Sequence, residues 1–228
     1  MPIVKFPPIS SADDQGIVAI GGDLHIESLK LAYRQGIFPW PISEDYPLAW
    51  FSPDPRAVFE TSDIHIPKKL AKFIRNCDYK ITYNTAFEKV ITTAREIHKN
   101  SKEGTWITPE VISAYVQLFR EGNAYSVEVW QEKELIGGLY GVCFGHFING
   151  ESMFHEKDNA SKIALFSILH NVKKMGIRYY DTQMVTTITG SLGAKELKRD
   201  DFLSYLDDCL NKENINFVNF ERTLDFDL

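Results

Sequence analysis

Between Tyr125 and Gln183 the chain runs strand, strand, helix, strand, and that order limits the architectures open to it. Tyr125 to Trp130 and Leu135 to Phe144 are runs of β-forming residues split by the polar turn Gln131 to Glu134, with a further short run to Asn149. Ala164, Ile168, Val172 and Met175 recur at helical spacing beside Leu165 and Leu169, which predicts a helix over 158–175. Asp158 or Asn159 can cap its start and Gly176 can end it. Ile177 to Thr182 then reads as a strand. A hairpin feeding a helix that returns to a strand predicts an α/β (α+β) layered fold with one mixed sheet. Glu151 falls at one strand end and Asp181 and Gln183 at another, so the three can converge on a cleft. Asp181 and Gln183 stand two apart and are expected on the same side of the sheet.

A chain of 228 residues that is 44% hydrophobic and 13% aromatic has ample material for a packed core. The formal net charge of −6 argues against a surface that is basic throughout, while leaving room for a local basic patch. Cys77, Cys143 and Cys209 lie far apart without a CxxC, so neither a disulfide framework nor a zinc site is expected. A reduced, cytoplasmic setting fits. No signal-peptide pattern opens the chain and no apolar run reaches the roughly 18 residues of a membrane span, so no membrane segment is expected.

Residues 1–62 differ in texture and are expected to form a small N-terminal domain, with 63–228 as the second. Eight of the ten prolines fall in the first segment. One helix is predicted there, Ile26 to Gln35, with Gly36 as its stop. Val18 to Leu24 resembles the start of a nucleotide loop but lacks the third glycine, and reads rather as a tight turn. A helix over 67–76 groups Lys68, Lys69, Lys72 and Arg75 on one face. That face is either a solvated one or a phosphate-binding patch. A strand over 79–83, a helix from 84 to about 98 and a polar loop over 99–104 follow. Thr108 is placed to cap a helix of Pro109 to Arg120. Trp106, just before it, is either a core aromatic or a cleft wall. A final helix is predicted over Arg199 to Leu210.

The six histidines show no HExxH spacing and no carboxylates cluster round them, so no metal is expected. No Walker sequence appears, so ATP is not an evident substrate. The hairpin, helix and strand order is reminiscent of the acetyltransferase fold. Yet the glycine loop that would wrap a coenzyme A pyrophosphate is missing at the strand-to-helix junction, which reads Met153-Phe154-His155-Glu156-Lys157-Asp158.

Longer motifs carry a more specific likeness. They are GGDL at Gly21 to Leu24, YRQGIFPW at Tyr33 to Trp40, WFSPDPRAVF at Trp50 to Phe59, and GTWI at Gly104 to Ile107. SVEVW at Ser126 to Trp130, GGLYGV at Gly137 to Val142, GESMF at Gly150 to Phe154, NASKIAL at Asn159 to Leu165 and SLGAKE at Ser191 to Glu196 follow. In that order the chain resembles the bacterial leucyl/phenylalanyl-tRNA-protein transferases. The resemblance implies transfer of leucine or phenylalanine, and weakly methionine, from aminoacyl-tRNA to the α-amine of proteins that begin with arginine or lysine. Such transfer marks the acceptor for degradation and needs no cofactor. The implied fold is a small N-terminal domain joined to an acetyltransferase-like (GNAT-like) one, acting as a monomer.

Position by position, the resemblance puts the catalytic glutamine on Gln183, its aspartate on Asp181, and the acceptor-recognising glutamate on Glu151. Taken alone, Glu151 reads more readily as a carboxylate on a surface turn. The implied apolar pocket for the donor side chain is Leu139, Ile148, Ile168, Val172 and Tyr180, and the tryptophans near the 3′-adenosine are Trp50 and Trp106. The basic tRNA-contacting helix is implied to be the Lys68, Lys69, Lys72, Arg75 face. After Gln183 the chain departs from the family, with Ile188 where a histidine is common and Thr182 where a cysteine is common, although Thr186 and Thr187 can hydrogen-bond. A rival reading is a non-catalytic module that binds basic N-termini or tRNA.

Overall fold

The computed structural model describes residues 1–41, 46–100 and 104–226, so positions 101–103 of the expected polar loop lie outside the described residues. In chain order the elements are β1 (Ile17–Ile20), α1 (Ile26–Arg34), β2 (Phe38–Trp40), β3 (Ala49–Phe51), β4 (Arg56–Glu60) and α2 (Lys68–Ile74). Next come β5 (Lys80–Tyr83), α3 (Phe87–Lys99), α4 (Pro109–Arg120), β6 (Ala124–Gln131), β7 (Glu134–Phe144) and β8 (Phe147–Ile148). The chain continues with β9 (Ser152–His155), α5 (Ala160–Lys174), β10 (Tyr179–Gln183), α6 (Thr187–Ser191), β11 (Lys195–Leu197) and α7 (Arg199–Leu210).

Local chemistry accounts for several boundaries. Thr108 Oγ1 accepts the Val111 amide at 3.3 Å and Pro109 opens α4, as a side-chain cap followed by proline should. Asn159 does occupy the cap position of α5, but with φ +62° and no side-chain cap bond. There the left-handed backbone, which asparagine tolerates, turns the chain from β9 into the helix.

The central sheet runs β5-β6-β7-β8, with β9 also paired to β7. Tyr125, Val127 and Val129 of β6 join the cluster under α5, and Tyr140, Val142 and Phe144 of β7 join the one under α3 and α4. Both faces are therefore covered, which is why these two strands are buried almost throughout. Glycines of β7 let its neighbours close in. A Cβ on Gly141 would lie 1.9 Å from Asn149 O, so only glycine lets the segment after β8 fold back against the strand.

The sheet expected to be mixed is antiparallel among the described residues. Two connections explain it. β9 returns against β7 directly from the turn after β8, and β10, after α5, pairs with β4 and not with the central sheet. Among the described residues, parallel contact is reduced to one isolated bridge, Asn149 to Asp181. β4 lies between β10 and β11 in this second sheet, so the strand just ahead of residue 62 is hydrogen-bonded to strands beyond residue 178. A third sheet, β1-β3-β2, packs through Trp50, together with Leu29 and Tyr33 of α1, into the same apolar cluster as Phe87, Tyr115 and Phe202. No helix among the described residues is long and apolar enough to cross a membrane.

Candidate active site

Where the ends of β7, β9 and β10 meet the N-terminal segment, the surface opens into a cavity of about 360 Å³. Its wall is largely apolar, with Leu139, Met153, Leu165, Tyr180, Trp40 and Trp106 among its lining residues. Glu151 and Gln183 face each other inside it.

Glu151 sits in the turn between β8 and β9, whose course is fixed on both sides. The Gly150 amide donates to Asp181 O at 3.0 Å and the Glu151 amide to Tyr140 O at 2.9 Å. A Cβ at position 150 would lie 2.4 Å from the Tyr180 hydroxyl, so the turn requires glycine there. Around the carboxylate stand hydroxyls and an amide. Tyr33 donates to Oε1 at 2.8 Å, Asn149 Nδ2 to Oε1 at 2.6 Å and Tyr115 to Oε2 at 3.4 Å. The hydroxyls of Tyr33 and Tyr115 also bond each other.

Burial, with the Asp181 charge beside it, raises the Glu151 carboxyl to about 7, against the pull of the Tyr33 and Asn149 bonds and of the Arg56 charge. Burial, reinforced by the Glu151 charge, drives both tyrosines well above the ordinary phenol range, so they remain donors. The carboxyl is thus poised to titrate near neutrality.

At the other strand end, Asp181 and Gln183 do not share a side. The pairing shifts between Asp181, opposite Val58, and Gln183, opposite Ala57, and Gln183 takes φ +59°. This bulge breaks the alternation of the strand. It sends Gln183 into the cavity and leaves Asp181 behind the wall, 1% exposed. Arg56 holds Asp181 from there, Nε to Oδ1 at 2.8 Å and Nη2 to Oδ2 at 2.7 Å. Asp181 Oδ1 also accepts the Gln183 backbone amide at 3.0 Å.

Turned one way, the Gln183 amide donates Nε2 to Glu151 Oε1 at 3.3 Å; turned the other, it satisfies three neighbours. Nε2 then donates to Thr182 O at 2.9 Å and Gly150 O at 3.1 Å, and Oε1 accepts from Asn149 Nδ2 at 3.1 Å. This leaves the Gln183 oxygen 3.3 Å from Glu151 Oε1. Asn149 Nδ2 donates to both of these oxygens, and both residues line the cavity, where a further N–H donor can join them.

Five of the residues expected at the site line the cavity: Glu151, Gln183, Leu139, Tyr180 and Trp106. Ile148, Ile168 and Val172 do not; all three are fully buried in the cluster between α5 and the central sheet. Leu165 is the α5 residue on the wall. Ile168 and Val172 lie about 4.5 and 10.5 Å farther along the helix axis, beyond its reach. Trp50 is fully buried too, its Nε1 donating to Gly21 O at 2.9 Å, and Trp40 of β2 takes a place on the wall instead. Thr186 is engaged in a reciprocal cap of α6 with Thr189. Lys68, Lys69 and Lys72 of α2 and Arg75 just after it are exposed, Leu70 and Ile74 anchor the helix, and none of the four forms an ion pair among the described residues.

Sequence reading missed Tyr33, Tyr115, Asn149 and Arg56. Tyr33 and Arg56 lie inside the YRQGIFPW and WFSPDPRAVF motifs, but a tyrosine on the apolar face of a helix looks like core. Asn149 carried a weak signal as a lone amide closing an apolar run before glycine.

Comparison with known proteins adds independent findings. The family described as leucyl/phenylalanyl-tRNA protein transferase matches residues 58–207, and its N-terminal domain matches residues 22–54. A protein of Flavobacterium johnsoniae named leucyl/phenylalanyl-tRNA–protein transferase is 45% identical over 201 residues, covering 88% of this chain and 94% of that one. A Shewanella baltica protein of the same name is 45% identical over 205 residues, 90% and 86% of the two chains. One from Pseudoalteromonas atlantica is 42% identical over 209 residues, 91% and 88%. Among solved structures, a conserved protein of unknown function from Bacteroides thetaiotaomicron aligns with a TM-score of 0.46 at 12% identity, over 75% of this chain and 57% of that one. That likeness is too slight to carry an argument.

Proposed function

The chain belongs to the leucyl/phenylalanyl-tRNA–protein transferase family, and we propose from that membership that its cavity joins a leucyl or phenylalanyl group from aminoacyl-tRNA to the α-amine of a protein beginning with arginine or lysine. The observation that carries this reading is the division of one cavity between an apolar wall and a carboxylate–amide pair. The wall suits the donor side chain, through Leu139, Met153, Leu165 and Tyr180. Glu151, whose direct hydrogen-bond donors are hydroxyls and an amide and which forms no ion pair among the described residues, suits a cationic acceptor. A guanidinium or ammonium arriving there replaces the charge partner that burial withholds. A leucine and a methionine differ little to such a wall, where a methylene is worth about 1–3 kcal/mol, so methionine should transfer weakly.

The chemistry asks little of the protein beyond placement. The aminoacyl ester is already activated, so no cofactor is required. The acceptor nitrogen attacks the ester carbonyl, the new C–N bond forms, the C–O bond to the terminal ribose breaks, and one amine proton goes to the departing ribose oxygen. Holding the two reactants together can supply roughly 7–11 kcal/mol of the barrier. An α-amine titrates at about 8, so a useful fraction is neutral. Gln183 Oε1 accepts an N–H of the attacking amine and aims its lone pair at the carbonyl. Cation-bearing α2 supports contact with the tRNA backbone, where each neutralised phosphate adds affinity. The succession of hairpin, α5 and β10 supports an acetyltransferase-like reading of the C-terminal part, and the tRNA-borne donor supports a cytoplasmic setting.

Transfer of labelled leucine from Leu-tRNA to peptides that begin with Arg or with Met tests the proposal. Label on the Arg peptide alone is expected. Equal label on both would remove Glu151 as the acceptor determinant, and label on neither, with tRNA bound, would favour a binding module.

A further inference from the structure

We infer that Arg56 is a positioning residue for the transfer reaction: by gripping Asp181 it makes that carboxylate the anchor that holds Gln183 turned into the cavity. The inference rests on the transferase reading of the cavity. Arg56 itself does not line the cavity, being 1% exposed on β4. Its guanidinium reaches both oxygens of Asp181 and also donates Nη1 to Gly36 O at 3.0 Å. The rings of Phe38 and Phe202 lie 4.9 and 4.5 Å from it. Three stretches distant in sequence, the end of α1, β4 and β10, are thereby referenced to one planar group.

A buried ion pair is a weak stabiliser, since apolar residues of similar volume often serve as well, so its use here calls for another reason. The geometry supplies one. Gln183 is a non-glycine residue in the left-handed region, which persists only where the surroundings impose it. Its amide donates to Asp181 Oδ1, the oxygen that Arg56 Nε also holds. Asp181 O meanwhile accepts the Gly150 amide, so the turn bearing Glu151 is aligned on the same residue. Without Arg56 the carboxylate would be a buried charge with no cation, free to swing or to take a proton, and the bulge would lose its anchor. Asp181 has both oxygens occupied and no face on the cavity. It therefore acts as an acceptor for a main-chain amide and not as a carrier of the substrate's proton. Any neutral oxygen in its place should serve, provided the charge of Arg56 is removed as well.

The test compares Arg56→Met, Asp181→Asn and the double variant, each confirmed folded by circular dichroism, in leucine transfer to an Arg peptide. Arg56→Met should lower kcat about 100-fold, the penalty of a small misplacement, and leave KM for Leu-tRNA within about threefold. The double variant should regain at least about tenfold of that loss, because the asparagine oxygen still accepts the Gln183 amide. Hydrogen exchange at the Gln183 amide gives a second readout that needs no turnover. It should quicken at least about tenfold in Arg56→Met and slow again in the double variant, with the Val127 amide of β6 protected in all.

A folded Arg56→Met protein with kcat within threefold of the parent overturns the inference, as does lost kcat with unchanged Gln183 exchange. A double variant no better than the single one would mean that Asp181 carries a proton. If the parent transfers no leucine, the transferase reading fails, and the exchange measurement alone decides whether Arg56 positions Gln183.

Discussion

The arginine-bound end of β10 and the hydroxyl-lined turn at Glu151 adjoin through the bond from Gly150 to Asp181, yet they surround their carboxylates with different material. Asp181 has a guanidinium on both oxygens. Glu151 has two phenols and an amide, and burial raises its carboxyl to about 7. The difference teaches how one cavity divides labour between like groups. A carboxylate matched inside the protein is a structural part, because nothing a substrate offers improves on its partner. One surrounded only by neutral donors remains under-compensated, and a cationic substrate is its best partner.

The largest effect should come from removing the waiting charge. Glu151→Gln should lower kcat/KM for the Arg peptide by about 10²–10³-fold, the cost of breaking a desolvated charge pair, and should narrow the preference over a Met peptide. A selective Glu151→Gln enzyme would break the contrast. Gln183→Ala should lower kcat by about 100-fold with donor binding retained, as loss of an oriented polar group does; unchanged turnover would remove Gln183 from the reaction.

Stability should also follow pH through Glu151. The Glu151 carboxyl is raised from 4.5 to about 7, so the folded state holds its proton more tightly than the unfolded one. Its contribution is fully present below about pH 4.5 and is lost as pH rises through about 7. Holding a proton across that interval is worth about 1.4 kcal/mol per pH unit, so Glu151→Gln should gain up to about 3 kcal/mol relative to the parent between acid and mildly alkaline solution. Melting curves at both ends measure it, and parallel changes in the two proteins would show that Glu151 is not under-compensated.

Smaller effects sharpen the wall against the polar pair. Leu165→Ala should cost about 1–3 kcal/mol in leucine transfer and less in phenylalanine transfer, whose ring can fill the space, as competition between the two donors would report. Lys72→Gln should weaken tRNA binding and reduce its log–log salt slope by about 0.7–0.9, leaving peptide selectivity unchanged.

Much of this was readable along the chain, and the reasons are local. The α4 cap at Thr108 and the bounds of α7 follow from neighbours in sequence, and the buried runs of β6 and β7 from composition. Glu151 and Gln183 were legible as polar groups closing β-forming runs, and the motifs named the family. Alternation misled at Asp181, because a bulge depends on what the opposite strand does. Ile168 and Val172 share a helix face with the wall but lie too far along its axis, which periodicity does not encode. The antiparallel sheet, too, depends on which strand β10 chooses, and it chose β4.

The sequence by itself determined the longer helices and the central strands, the family and the residue types available for the chemistry, since these follow from composition, spacing and short-range hydrogen bonding. Tertiary structure alone decided which carboxylate meets an arginine, which tryptophan reaches the cavity and which way Gln183 turns. Partners for Asp181 and Glu151 lie 125 and 118 residues away in the chain, at Arg56 and Tyr33. The energy of a buried charge is set by such neighbours in space, and pattern along the chain does not register them.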